Sequence, residues 1–170
     1  MLKRHQVVKR SLDDPVMTPS IVAGTGIEGS ASNELSSPQG IFVNVNLDLY
    51  VADCGNDRVQ LFQPGQLDGI TVAGSGSASA TISLDCPSSI VLDAANHLFI
   101  ADLNNYRIVG SGVNGFRCLV GCYGYGTGSQ SNQLTYPGAF SFDRSGNILV
   151  IDRINRRIQK FQMLEKSHCT

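Results

Sequence analysis

The sequence predicts an all-β chain: a β-propeller segment of about three four-stranded blades preceded by a partial blade, an incomplete propeller. Three observations predict it. First, the chain repeats itself. Leu35-Ser-Ser-Pro38 followed by Asp53, Asn56 and Arg58 recurs as Leu84-Asp-Cys-Pro87 followed by Asp102, Asn105 and Arg107. It recurs again as Leu134-Thr-Tyr-Pro137 followed by Asp152, Asn155 and Arg157, at offsets of 49 and then 50 residues. A period near 50 is that of a propeller blade or a solenoid unit. Second, each repeat contains short runs of alternating or continuous apolar residues separated by turn residues. Third, 18 of the 170 residues are Gly and Trp is absent, and no long stretch carries a helical period. Charged residues make up 16%, too few for a disordered chain.

The elements follow in order. Gln6-Val-Val8 reads as the third strand of a preceding blade and Ser20-Ile-Val-Ala23 as its fourth, the counterpart of Ile70-Thr-Val-Ala73. First strands are predicted at Ile41–Val43, Ile90–Leu92 and Phe140–Phe142. Second strands are predicted at Leu49–Ala52, Leu98–Ala101 and Ile148–Ile151, where unbroken apolar character implies cover on both faces. Between them lies a turn, clearest in Asp143-Arg-Ser-Gly-Asn147, where Gly146 can take a positive φ. Third strands are Val59–Phe62, Ile108–Val109 and Ile158–Phe161. Fourth strands are Ile70–Ala73 and Phe116–Val120. The chain thus divides into a basic N-terminus with remnant strands (1–23), blades at 24–74, 75–121 and 122–162, the last incomplete, and a tail at 163–170. Val51, Ile100 and Val150 share one strand position and Ile41, Ile90 and Phe140 another, so both sets are expected in the core.

Pro38-Gln-Gly-Ile-Phe-Val43 with Leu49-Tyr-Val-Ala-Asp-Cys-Gly-Asn-Asp-Arg-Val-Gln60 resembles the NHL repeat. Asp143 to Gln159 resembles it again, and residues 87–109 more loosely. The resemblance spans residues 20 to 162 and implies blades whose loops serve as interaction surfaces. It also implies that Asp53, Asn56 and Arg58, with Asp102, Asn105, Arg107 and Asp152, Asn155, Arg157, are structural staples. The Asp pairs with the Arg across the corner, and the Asn serves nearby backbone groups. The family's usual His between Asn and Arg is replaced by Asp57, Tyr106 and Arg156.

Little in the chain suggests catalysis, so the expectation is a non-enzymatic protein without metal or cofactor. His5, His97 and His168 have no ligand spacing, and no Gly-x-Ser-x-Gly elbow occurs. The glycine-rich Gly74–Ser77 and Gly121–Gly128 lack a Gly-Lys-Ser/Thr ending and read as inter-blade linkers. Cys118-x-x-x-Cys122 alone is a weak metal signal. Cys54 and Cys86 would lie on one face of adjacent blades, where a disulfide is geometrically allowed; half-buried free thiols are the alternative. The bridge would imply an oxidising compartment.

Residues 1–10 carry a charge of +4, residues 11–143 −9 and residues 144–170 +4. Most of the chain would therefore repel a phosphate backbone, although the third blade offers a small basic patch. A protein or peptide partner is expected, bound through one loop face by Asp57, Asn104, Tyr106, Arg153 and Arg156, the variable residues of the corners. The alternative is an RNA-binding propeller using the third blade. A third reading is a fragment of a larger NHL protein, such as a ubiquitin-ligase-type regulator or a lyase. No membrane span or signal peptide is evident, so the chain reads as soluble with its compartment unknown. Three repeats leave open sheet edges. Either a homodimer completes a six-bladed ring, or the chain is an open monomer or a fragment.

Overall fold

The computed structural model describes residues 4–77, 82–122 and 128–163. His168, Cys169, most of the tail and the middle of the Gly121–Gly128 linker lie outside the described residues. Four antiparallel sheets follow one another along the chain. The first pairs β1 (Val7–Lys9) with β2 (Ser20–Ala23). Blade 1 contains β3 (Gly40–Val43), β4 (Leu49–Asp53), β5 (Arg58–Phe62) and β6 (Ile70–Gly74). Blade 2 contains β7 (Pro87–Leu92), β8 (Leu98–Asp102), β9 (Arg107–Gly112) and β10 (Gly115–Val120). Blade 3 shows β11 (Pro137–Phe142), β12 (Ile148–Asp152) and β13 (Arg157–Phe161). Each blade is a meander in which consecutive strands pair. No helix among the described residues is long and apolar enough to cross a membrane.

The register repeats between sheets. Val7 faces Ala23 in the first sheet as Val59 faces Ala73 in blade 1. The first sheet is therefore the outer half of a blade. The turns between first and second strands are built three times alike. Asn44, Asp93 and Asp143 each accept two backbone N–H groups through one side-chain oxygen, from Asn46 and Asp48, Ala95 and His97, and Ser145 and Asn147. His97 belongs to this turn, its Nδ1 3.0 Å from Asp93. Gly146 has a φ of +76°; at the equivalent positions Asn96 (+62°) and Leu47 (+66°) adopt the same left-handed conformation. The wider turn at Gln63-Pro-Gly-Gln66 closes with Gln66 N–H donating to Gln63 O.

Three apolar layers hold the sheets face to face. Val7, Val22 and Ala23 pack on Leu35, Leu49, Val51 and Phe62. Ala52, Val59 and Ala73 of blade 1 meet Leu84, Ile90, Leu98 and Ile100 of blade 2. Phe99, Ala101 and Ile108 meet Leu134, Phe140, Ile148 and Val150 of blade 3. Val51, Ile100 and Val150 are fully buried, and Ile90 and Phe140 are buried. Ile41 is not: it is 54% exposed, against the expectation from its repeat position. The reason lies in what covers that position. Ile90 and Phe140 each rest on the inner strands of the blade before, whereas β1 and β2 supply only an outer half. On the other side, Ile151 (45% exposed) and Ile158 (70%) occupy the positions of buried Ala101 and Ile108 on a face that no described strand covers.

Candidate functional site: the corner face

The turn between second and third strands, and the linker entering the next first strand, lie at the same end of each blade. Here the repeated Asp, Asn and Arg form one network three times over. Asp53 Oδ2 accepts Arg58 Nε at 2.8 Å, Asp102 accepts Arg107 at 2.8 Å, and Asp152 accepts Arg157 at 2.7 Å. The other carboxylate oxygen accepts a backbone N–H at the blade entry: Ser36, Asp85 and Thr135 respectively. Asn56, Asn105 and Asn155 donate to the same carboxylates. The guanidinium groups then reach linker carbonyls. Arg58 donates to Ser30, Ala31 and Glu34, Arg107 to Ser83, and Arg157 to Ser129, Gln130 and Gln133. The three carboxylates are fully buried. Saturated this way, they fasten linker to corner, which accounts for their appearance in every blade.

The environments differ between copies. Burial pushes Asp102 above the ordinary aspartate pKa, and the hydrogen bonds from Asp85, Asn105 and Arg107 do not fully offset it. Burial also works against Asp152, but there the bonds from Asn155, Arg157 and Thr135 outweigh it and its pKa falls. In the first-to-second-strand turns, hydrogen bonds from Asn147 and Lys160 hold Asp143 far below the ordinary range.

In blades 1 and 2 the residue just before the corner Arg has a second task. Asp57, Tyr106 and Arg156 all adopt a left-handed backbone, at φ of 52°, 56° and 52°. Asp57 Oδ1 accepts Cys86 N–H of the next blade at 2.8 Å. Tyr106 stands edge-on to Tyr136 of the next blade, ring centroids 5.0 Å apart. Gly74 and Gly121 pass directly beneath these corners, where any Cβ would run into the carbonyl oxygen of Asp57 or Tyr106. Two of the five expected partner residues are thus engaged between blades. Asn104 donates to Asp85 at 2.8 Å within the same corner.

Arg153 and Arg156 stand exposed on blade 3. Arg156 N–H donates to Arg153 O at 3.2 Å to close the corner, and no bond to either guanidinium is seen among the described residues. Gly138 lets the Arg153 stem lie flat against it. With Ile151, Asp152, Arg157 and Ile158 they line an open pocket of about 210 Å³. Ile154, 63% exposed, projects from the same corner. No group of three or more His, Cys, Asp or Glu converges among the described residues.

Two features were missed in the sequence. His5 has the left-handed backbone of Asp57 and lies over Gly24 as Asp57 lies over Gly74. Its Nδ1 accepts Ser37 N–H at 3.1 Å, as Asp57 accepts Cys86 N–H. The corner histidine is therefore not absent from every copy; the partial blade carries it. The offset of Val7 from Val59, read against that of Ala23 from Ala73, could have found it. The second is the bond between Cys118 and Cys122, a pair whose spacing offers only a weak metal signal. Cys54 is bonded to Cys86, the bridge the sequence allows, joining blade 1 to the entry of blade 2.

The NHL repeat family matches residues 35–62. Solved structures match much more of the chain. A Bacteroides thetaiotaomicron protein of unknown function superposes with a TM-score of 0.68 at 16% identity, over 94% of this chain and 42% of that one. An auxiliary nutrient binding protein from the same bacterium gives 0.66 at 14% identity, over 95% and 43%. A gluconolactonase from Xanthomonas campestris gives 0.52 at 20% identity, over 71% and 36%. At these identities the likeness is one of fold, and the chain spans less than half the length of each. No curated protein matches the sequence.

Proposed function

From the premise that this chain carries an NHL repeat within a run of propeller blades, we propose that it is a non-enzymatic scaffold binding a protein or peptide. The observation that carries this reading is the division of labour in the corners. The carboxylates present in every blade are saturated by intrachain bonds, while Arg153, Arg156 and Ile154 of blade 3 project from that rigid frame. Binding residues on loops held by a stiff scaffold are a common arrangement, and Arg is a residue type enriched at binding hot spots. The partner is acidic with apolar side chains, because the exposed set pairs two guanidinium groups with branched aliphatic surface. Asp57 and Tyr106, engaged between blades, contribute less.

Arg153→Ala with Arg156→Ala is expected to abolish capture of a cross-linked protein partner while leaving the melting temperature within a degree or two. Retention of the partner, or a collapse in stability, would overturn the assignment. An enzymatic reading competes, since one structural neighbour is a gluconolactonase; turnover of a sugar lactone by the purified chain would favour it. Affinity for RNA falling steeply with salt would favour the nucleic-acid reading instead.

A further inference from the structure

The junction between the β1–β2 sheet and blade 1 is closed by a histidine whose protonation state matters to the contact. Ser37 N–H donates to His5 Nδ1 at 3.1 Å, and the ring is buried. A backbone amide nitrogen can only donate here, so Nδ1 must carry its lone pair and the neutral ring must hold its proton on Nε2. Acid therefore adds the second proton to Nδ1, the very atom that closes the contact, and sets one N–H against another. Glu28 faces the other ring nitrogen, its Oε2 3.8 Å from Nε2 and its Oε1 bonded to the Ser36 hydroxyl. That carboxylate is 61% exposed, so solvent screens its attraction for an imidazolium. Asp53, behind Ser36, is already neutralised by Arg58. Arg4, next along the chain, is exposed and adds positive charge.

We propose that His5 is an acid-sensitive latch: protonation at Nδ1 releases the β1–β2 sheet from blade 1 while the later junctions stay shut. Among the described residues, the other two junctions hold no histidine. Blade 1 holds blade 2 through Asp57, the Cys54–Cys86 bond and a large apolar layer. Blade 2 holds blade 3 through the Tyr106–Tyr136 contact and its own layer. The layer beneath β1 and β2 is the smallest, with Val7, Val22 and Ala23 as its whole contribution from that sheet. Opening there exposes the least apolar surface and so requires the least acid.

Hydrogen exchange of the full chain between pH 8 and pH 5, corrected for intrinsic rates, tests this. Protection of Val7–Lys9 and Ser20–Ala23 amides is expected to fall across this range by up to about tenfold per pH unit, the limit for one proton taken up on opening. Amides of β8 and β12 keep theirs. In His5→Gln, whose side-chain oxygen can accept Ser37 N–H but does not titrate, the fall disappears. Glu28→Gln, which removes the carboxylate that would hold an imidazolium in the closed junction, makes the fall deeper at the acid end. Unchanged protection in the parent chain, an equal fall in His5→Gln, or loss spread uniformly over all blades would overturn the latch. Should His5→Gln fail to fold, ¹⁵N imidazole shifts of the parent chain decide: a neutral ring protonated on Nδ1 rather than Nε2 sinks the proposal.

Discussion

Asp57 accepts the backbone N–H of Cys86 at 2.8 Å while the Cys86 side chain is bonded to Cys54, three residues before Asp57. The entry of blade 2 is thereby pinned to the corner of blade 1 by two links of different kinds, one covalent and one charge-assisted. The junctions along the chain are alike in backbone geometry and different in chemistry, and that difference is what can be tested.

Reducing the Cys54–Cys86 bond, or replacing both residues with Ser, is expected to lower stability by about 3–4 kcal/mol. A link across a separation of 32 residues restricts the unfolded chain by about that much. Urea unfolding with and without reductant measures it. Alkylation of both thiols in unreduced protein would show that the bond does not form.

Ile90→Ala and Ile100→Ala are expected to cost about 2–5 kcal/mol each, since both lie in the layer between blades 1 and 2 and truncation leaves a cavity there. Ile41→Ala, at the same repeat position as Ile90, is expected to cost under about 0.5 kcal/mol because its side chain faces solvent. Equal losses at Ile41 and Ile90 would contradict the packing described here.

Leu47→Gly is expected to stabilise the chain by about 0.5–1 kcal/mol. Leu47 is exposed and held at a φ of +66°, where a Cβ is strained; the gain is reduced by the greater freedom of glycine when unfolded. The reverse change, Gly146→Leu, is expected to destabilise by a similar amount. Midpoints of chemical unfolding for the two variants should move in opposite directions.

Asp102 and Asp152 are expected to respond oppositely to acid. Asp152 has a lowered pKa in the fold, so its contribution is present above the ordinary aspartate pKa and is lost as pH falls through the lower, folded value. Asp102 has a raised pKa, so its charge costs the fold stability above that value, and the cost is relieved as pH falls through it. Carboxyl ¹³C titration should place the Asp102 midpoint above the Asp152 midpoint; the reverse order would refute the assignment.

The repeat, the strand order and the turns were legible in the sequence, because spacing alone places Asp53, Asp102 and Asp152 at equivalent strand ends and glycine where Gly146 turns. Pairing of each Asp with its Arg was legible as what the NHL resemblance implies, and a separation of five residues across one corner is compatible with it. Tertiary structure decided what spacing does not encode, namely which copy of a repeated position has a neighbour. Ile41 and Ile90 share a pattern, but burial requires a second surface, and only Ile90 has inner strands beneath it. Asp57 and Tyr106 look like variable surface residues until the next blade is set beside them. His5 stands outside the readable repeat because only the outer strands β1 and β2 of its sheet lie among the described residues, and the pairing of Val7 with Ala23 brings its ring against Ser37. Local propensity and period are properties of one segment, whereas burial and partnership belong to two segments brought together by folding.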